Sequence, residues 1–235
     1  MTRSALLLLH GLGGTAAVWD GLRAVLPPDV EVVAPDLPGH GTAAPLAAYS
    51  FAALAEAVAA GLDGPYAVLG HSLGGVVALE LARAGHATAV VGLGIKVAWS
   101  EDDLARAAAL AGKPARTFAT REEALDRHLA VSGLRGLVGP DDAAATTGVR
   151  RDDEGWRLAL DPRAFGVGAP DLPGLLRDAR CPVVLARGEH DPMVSEADLR
   201  ALGVEPVTLP GLGHSAHVED PPAVRGLLGS HMTVV

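Results

Sequence analysis

The sequence predicts an α/β fold, an open and mostly parallel sheet of about six strands flanked by helices. Short apolar runs recur along the chain, with helix-length segments between them. These runs lack strict alternation, which is typical of parallel strands buried on both faces. With 235 residues, 49% of them hydrophobic and 20% charged, the chain is long enough for one large core or for one domain with an insertion.

Each predicted strand is followed by a segment that suits a helix. The predicted strands are residues 5–9, 30–34, 66–69, 89–93, 182–186 and 205–209. Residues 50–62 place Phe51, Leu54, Val58 and Leu62 on one apolar stripe of a helix. Shorter helices are expected at 198–202 and 222–228. Alternation of this kind predicts right-handed crossovers and a ligand site beyond the carboxyl ends of the strands.

One long interval interrupts the alternation. Residues 98–172 contain no convincing buried strand, and instead predict helices at 101–110, 121–131 and 141–147. An insertion of this length between two sheet strands is typical of a lid. We therefore expect a core formed by residues 1–97 and 173–235, and a helical lid formed by residues 98–172.

Composition excludes several classes of function. The net charge of -9 and the presence of only two lysines, Lys96 and Lys113, disfavour nucleic acid as a partner. Cys181 is the single cysteine, so we expect no internal disulfide, and a reducing cytoplasm fits this composition. The apolar run at 5–9 is shorter than a signal-peptide core, and no run is long enough to span a membrane. We therefore expect a cytoplasmic protein; the oligomeric state stays open.

A glycine-flanked serine follows the third predicted strand. Gly70, Ser72 and Gly74 form a Gly-x-Ser-x-Gly turn between the strand and a helix. Such a turn exposes the serine hydroxyl, and the backbone N–H of the next residue, Leu73, can stabilise an oxyanion. The motif alone is weak evidence in a chain with 29 glycines, so its surroundings decide its meaning.

Other strand ends carry residues that would complete a serine-based active site. After the first strand, His10 and Gly11 lead to Leu12, whose N–H is the expected second oxyanion donor. After the strand at 182–186, Asp191 is the expected acid, and Glu189 is an alternative. After the last strand, His214 is the expected general base, and His217 is a rival.

The combined motifs resemble the α/β-hydrolase family, including its order of serine, acid and histidine. The resemblance covers nearly the whole chain. It rests on His10-Gly11, residues 36–41, 70–75 and 188–191, Gly213-His214 and Pro221. Members of that family commonly begin with an antiparallel hairpin. Because only four residues precede the first strand here, we expect that hairpin to be missing and the sheet to have about six strands.

Within the family, the chain is most similar to small lidded esterases, lactonases and C–C hydrolases. The resemblance implies a cofactor-independent serine hydrolase that cleaves a small-molecule carboxylic ester, lactone or thioester through an acyl-enzyme. A C–C bond hydrolase or lyase with the same triad is the alternative, and a non-catalytic receptor is a third possibility. We expect no metal, because His214 with His217 or His190 lacks a third ligand at suitable spacing.

The remaining candidates are substrate contacts. These predicted contacts are His10, Gly11, His71, Lys96, Trp99 and Val194. Lys96 follows the fourth strand near the expected mouth of the site, where it could attract an anionic substrate group. Pairing with a lid carboxylate such as Glu101 or Asp102 is the alternative for this lysine.

Overall fold

The computed structural model describes residues 5–232 and contains a six-stranded parallel sheet, which confirms the predicted fold class. The strands in chain order are β1 Ala5–Leu9, β2 Glu31–Val33, β3 Tyr66–His71, β4 Ala87–Leu93, β5 Val149–Asp152, β6 Gly155–Leu158, β7 Val183–Gly188 and β8 Val207–Leu209. The sheet has the order β2-β1-β3-β4-β7-β8, and all of its pairings are parallel. Strands β5 and β6 form a separate antiparallel hairpin.

Helices cover both faces of the sheet. They are α1 Asp20–Val25, α2 Phe51–Ala59, α3 Leu73–Ala84, α4 Glu101–Ala111, α5 Arg121–Ser132, α6 Ala143–Thr146, α7 Leu172–Asp178, α8 Glu196–Ala201, α9 Ala216–Glu219 and α10 Pro221–His231. Two 3-10 turns lie at Ala16–Trp19 and Pro162–Val167. The short C-terminal helix expected at 222–228 is therefore longer than predicted.

The alternation of side chains along β1 shows why the sheet is buried on both sides. Leu7 and Leu9 belong to one buried cluster, together with residues of α2, α3, α7 and α8. Leu6 and Leu8 belong to a second cluster, together with residues of α1 and α10. Since successive side chains of a strand point to opposite faces, an uninterrupted leucine run fits a strand with a helical layer on each side.

The predicted insertion, residues 98–172, begins after β4 and ends at the first residue of α7, and it contains α4, α5 and α6 close to the predicted positions. It also contains the β5–β6 hairpin, which the sequence pattern did not predict. The hairpin residues are mostly charged and partly exposed, so they lack the apolar run that marks a buried strand. Phe118 and Val149 belong to a small separate cluster of buried residues in this segment.

Candidate active site

Ser72 lies at a strained turn between β3 and α3. Its φ of 52° is the only positive value of a non-glycine residue among residues 5–232. The Ser72 N–H donates to the carbonyl oxygen of Leu93 at 2.8 Å, and the Ser72 carbonyl accepts from the N–H of Gly75 at 3.0 Å. Hydrogen bonds to the neighbouring strand and to the following helix thus hold the serine in a conformation that L-residues rarely adopt.

Close packing explains the glycines on either side of the serine. A Cβ atom at Gly70 would overlap the backbone of Gly74, and one at Gly74 would overlap the carbonyl oxygen of Leu9 in β1. Neither obstacle is a flexible side chain. Positions 70 and 74 of the motif therefore require glycine, because backbone segments pass each other there too closely for a side chain.

Asp191 and His214 form a hydrogen-bonded pair in the loops that follow β7 and β8. Both carboxylate oxygens lie 3.0 Å from His214 Nδ1. The Asp191 side chain is fully buried, whereas that of His214 is 21% exposed. Asp191 also accepts from the N–H of Met193 at 2.8 Å. Because Nδ1 donates to the carboxylate, Nε2 carries the lone pair that a general base needs.

A cavity of about 490 Å³ joins the predicted residues. Those that line it are Gly11, Leu12, His71, Ser72, Leu73, Lys96, Trp99 and His214. Asp191 lies behind His214. The backbone N–H groups of Leu12 and Leu73 donate to no acceptor within the described residues 5–232. Two unused donors beside a serine and a histidine on one cavity can stabilise an anionic oxygen.

His10 and Val194 do not belong to the lining of this cavity. His10 is completely buried; its Nε2 accepts from the N–H of Leu37 at 2.9 Å, and its Nδ1 donates to the carbonyl oxygen of Gly11 at 2.8 Å. Burial lowers the pKa of His10 to about 3. The carbonyl oxygen of Val194 accepts from Arg187, and its side chain lies in the core. Both residues shape loops around the site.

His217, the rival base, lies in α9. The residue is 1% exposed, and its ring packs against Trp19 at a centroid distance of 4.5 Å. Burial lowers the pKa of His217 to about 3. It lines the cavity, but no carboxylate among the described residues accepts a hydrogen bond from it, in contrast to His214.

Lys96 pairs with a carboxylate of the predicted lid, but with Asp103 and not with Glu101 or Asp102. Lys96 Nζ lies 2.8 Å from Asp103 Oδ2 and 4.8 Å from the ring centroid of Trp99. Asp103 is the third residue of α4 and forms a capping box with Ser100, which directs its carboxylate back toward the start of the helix. The hydrogen bond from Lys96 holds the pKa of Asp103 well below its usual range.

The sequence profile of the alpha/beta hydrolase family matches residues 6–227 of the chain. The chain belongs to the alpha/beta hydrolase family. A pimeloyl-[acyl-carrier protein] methyl ester esterase of Neisseria meningitidis serogroup B (strain H44/76) is 31% identical over 241 residues, which cover 97% of this chain and 82% of the relative. Family and relatives together identify the chain as a hydrolase.

Solved structures agree with this alpha/beta hydrolase assignment. The esterase Rv0045c from Mycobacterium tuberculosis is 28% identical with a TM-score of 0.72, covering 96% of this chain and 84% of that one. An E-2-(acetamidomethylene)succinate hydrolase has a TM-score of 0.82 at 22% identity, covering 97% of this chain and 91% of that one. The second similarity concerns the fold alone.

The insertion supplies cavity walls of this hydrolase that sequence reasoning missed. Ser132, Gly133 and Leu134 at the end of α5 line the cavity, as does Phe165. Val131 packs so closely on the loop after β1 that a Cβ at Gly13 would lie 2.7 Å from its Cγ1 atom. Trp156, in contrast, pairs with Arg151 in the hairpin and lies outside the lining. These wall residues belong to the end of α5 and to the 3-10 turn at Pro162–Val167, and no sequence motif marks them.

Two further features concern the part of this hydrolase that the structure describes. None of its helices combines the length and the apolar character needed to cross a membrane. No three His, Cys, Asp or Glu side chains of residues 5–232 form a group that could hold a metal ion.

Proposed function

We propose that this hydrolase cleaves a small-molecule carboxylic ester, with Ser72 as nucleophile, His214 as general base and Asp191 as the acid that orients it. The observation that carries the proposal is the Asp191–His214 pair on the same cavity as the strained Ser72, beside two unused backbone N–H groups. Lactones and thioesters present the same carbonyl chemistry. The esterase names of the relatives support an ester as the substrate.

The proposed reaction has two stages. His214 Nε2 takes the proton of Ser72 as its oxygen attacks the carbonyl carbon, and the N–H groups of Leu12 and Leu73 bind the resulting oxyanion. Collapse of this intermediate breaks the ester bond, and the imidazolium gives its proton to the leaving alcohol. A water molecule, deprotonated by His214, then attacks the acyl-enzyme and releases the carboxylic acid and free Ser72.

The division of the chain forms part of the proposal. We place the hydrolase core at residues 1–97 and 173–235, and a lid at 98–172. The lid assignment is supported by the cavity lining, because residues of α4 and the end of α5 contribute to its wall. A small-molecule substrate fits a cavity of about 490 Å³. The lone Cys181 supports a location in the reducing cytoplasm.

Replacing Ser72 by alanine tests the proposal. The Ser72→Ala variant should hydrolyse p-nitrophenyl butyrate about 10⁴-fold more slowly or worse, because loss of a nucleophile costs several powers of ten in rate. A fluorophosphonate probe should modify the parent protein at Ser72, as mass spectrometry of its peptides would show. The control is Ser230→Ala on α10, where an exposed hydroxyl donates to the carbonyl oxygen of Gly226 and activity should be unchanged.

Undiminished hydrolysis by Ser72→Ala would refute the proposal. If the parent cleaves C–C bonds of diketones but no ester in a panel, and Ser72→Ala loses that activity, the alternative reaction class replaces ester cleavage while the triad assignment stands.

A further inference from the structure

His71 touches three loops of the candidate site at once. It is the last residue of β3 and directly precedes Ser72, and the residue is 4% exposed. Its Nε2 lies 3.0 Å from the backbone carbonyl oxygen of His214. Since a carbonyl only accepts, Nε2 must carry the proton and donate it. A side chain on the serine turn is therefore bonded to the main chain of the residue that supplies the base.

Packing fixes the plane of the His71 ring. The ring centroid lies 4.6 Å from that of His214 and 4.4 Å from that of His217. A Cβ atom at Gly11 would lie 2.8 Å from His71 Nδ1, so the loop after β1 rests against the third side of the ring. These three contacts oppose rotation of the ring away from the His214 carbonyl.

The loop that carries His214 is also held at the residues on either side of the base. The N–H of His190 donates to the carbonyl oxygen of Leu212 at 2.8 Å, and Ser215 Oγ donates to that of Gly133 at 3.5 Å. The N–H of Gly213 donates to Glu219 Oε2 at 2.7 Å, which fixes the residue before the base. Among residues 5–232, His71 is the only donor to the carbonyl oxygen of His214 itself. Burial lowers the pKa of His71 well below its ordinary value, so the ring stays neutral and Nδ1 stays unprotonated.

We infer that His71 is a positioning residue, which sets the backbone of His214 at the correct distance from Ser72 through its Nε2–H bond to the His214 carbonyl. The inference rests on the proposed function. It gives His71 a role different from the substrate contact that the sequence suggested, because the bonded partner is the protein's own main chain. Loss of the bond should slow catalysis while substrate binding changes little, since misplacement of a reacting group by about 1 Å can cost about 100-fold in rate.

Two amide variants separate the bond from the bulk of the side chain. In His71→Gln the terminal N–H₂ can occupy the position of Nε2, whereas in His71→Asn it falls one methylene short. We expect kcat for p-nitrophenyl butyrate to stay within about 5-fold of the parent in His71→Gln and to fall about 30- to 100-fold in His71→Asn, with KM within about 3-fold in both. Phosphonylation of Ser72 by a fluorophosphonate should slow in parallel with kcat.

A matched control uses a histidine with the same kind of bond elsewhere. His128 in α5 is 1% exposed, and its Nε2 donates to the carbonyl oxygen of Ala144 at 2.9 Å. It does not line the cavity. His128→Asn should lower the thermal midpoint but leave kcat and the phosphonylation rate within about 2-fold of the parent. This control separates general loss of stability from loss of positioning.

Equal kcat values in the Gln and Asn variants would overturn the inference, and so would a change confined to KM, which would make His71 a substrate contact. If His71→Asn does not fold, His71→Met, which fills similar space without a donor, replaces it in the comparison with His71→Gln. A separate result would refute the proposed function itself. Undiminished activity of Ser72→Ala would refute it, whereas an inactive Ser72→Ala beside fully active His71 variants would refute only the positioning role.

Discussion

The backbone at Ser72 is strained because a serine occupies a conformation that glycine adopts without strain. The positive φ of 52° places the Cβ atom of an L-residue against its own main chain. Strain of this kind costs about 1–3 kcal/mol and persists only where neighbouring structure enforces it. At Ser72, β4 and α3 enforce it through the hydrogen bonds of the serine main chain. A residue that relieves the strain should therefore raise the stability of the protein even though it abolishes the activity.

Glycine at position 72 should therefore stabilise the protein more than alanine does. Both Ser72→Gly and Ser72→Ala lack the nucleophile, but only alanine keeps the Cβ atom that causes the strain. After allowing for the larger entropy of glycine in the unfolded chain, we expect Ser72→Gly to exceed Ser72→Ala in free energy of unfolding by about 1 kcal/mol. Urea denaturation of the two variants measures this difference. A less stable glycine variant would show that the turn is unstrained.

At the scale of the element, the β3–α3 turn depends on a backbone crossing with β1. A methyl group at Gly74 would meet the carbonyl oxygens of Leu9 and His10, which belong to main chain and cannot rotate away. Leu9 and His10 directly precede the loop that contains the predicted oxyanion donor Leu12. Damage at this crossing should therefore disturb folding and not only catalysis.

The Gly74→Ala variant should lower the free energy of unfolding by about 2–4 kcal/mol through overpacking. Gly226→Ala provides the control, because Gly226 lies within α10 and a Cβ there would meet nothing within 4 Å. That change should raise stability by up to about 1 kcal/mol, since alanine favours a helix over glycine. Thermal unfolding of both variants gives the comparison, and a tolerated Gly74→Ala would contradict the crossing.

Elements with strong local signals were predictable from the sequence, and those formed by exposed residues were not. Strand β1 was predicted with its observed ends, because its leucine run is buried on both faces. The β5–β6 hairpin was missed, because exposed charged residues do not form an apolar pattern. The acid and base follow strand ends, where parallel topology brings them together. Pairing of Lys96 with a carboxylate of the predicted lid was an expected alternative, but the sequence did not indicate Asp103 as the partner, because that choice depends on the capping box of α4.

At the scale of the whole molecule, the folded protein buries five histidines whose pKa values are lowered. These residues are His10, His40, His71, His128 and His217. Burial is the largest cause of the lowered pKa in every one of them. They lie on segments from both ends of the chain and from the insertion, so their protonation opposes the folded state as a whole.

The free energy of unfolding should therefore fall as the pH drops below about 6.5. For His10 and His217 the folded-state pKa is about 3 and the ordinary value is 6.5, so between these values the unfolded chain binds a proton that the folded chain does not. Each such group lowers stability by about 1.4 kcal/mol per pH unit in that window, and contributes no pH dependence above it. Urea denaturation between pH 8 and pH 5 measures the slope. His217→Leu should reduce the slope by one group; an unchanged slope would refute this role of His217.

The contact between Val131 at the end of α5 and Gly13 in the loop after β1 couples the insertion to the candidate active site. Residues of the insertion line the proposed substrate cavity, whereas the loop after β1 holds a predicted oxyanion donor. Because the two meet without a gap, exchanging one insertion for another would alter turnover together with substrate preference. Adaptation to a new ester then requires paired changes in both segments, in contrast to a hydrolase whose lid is an independent module.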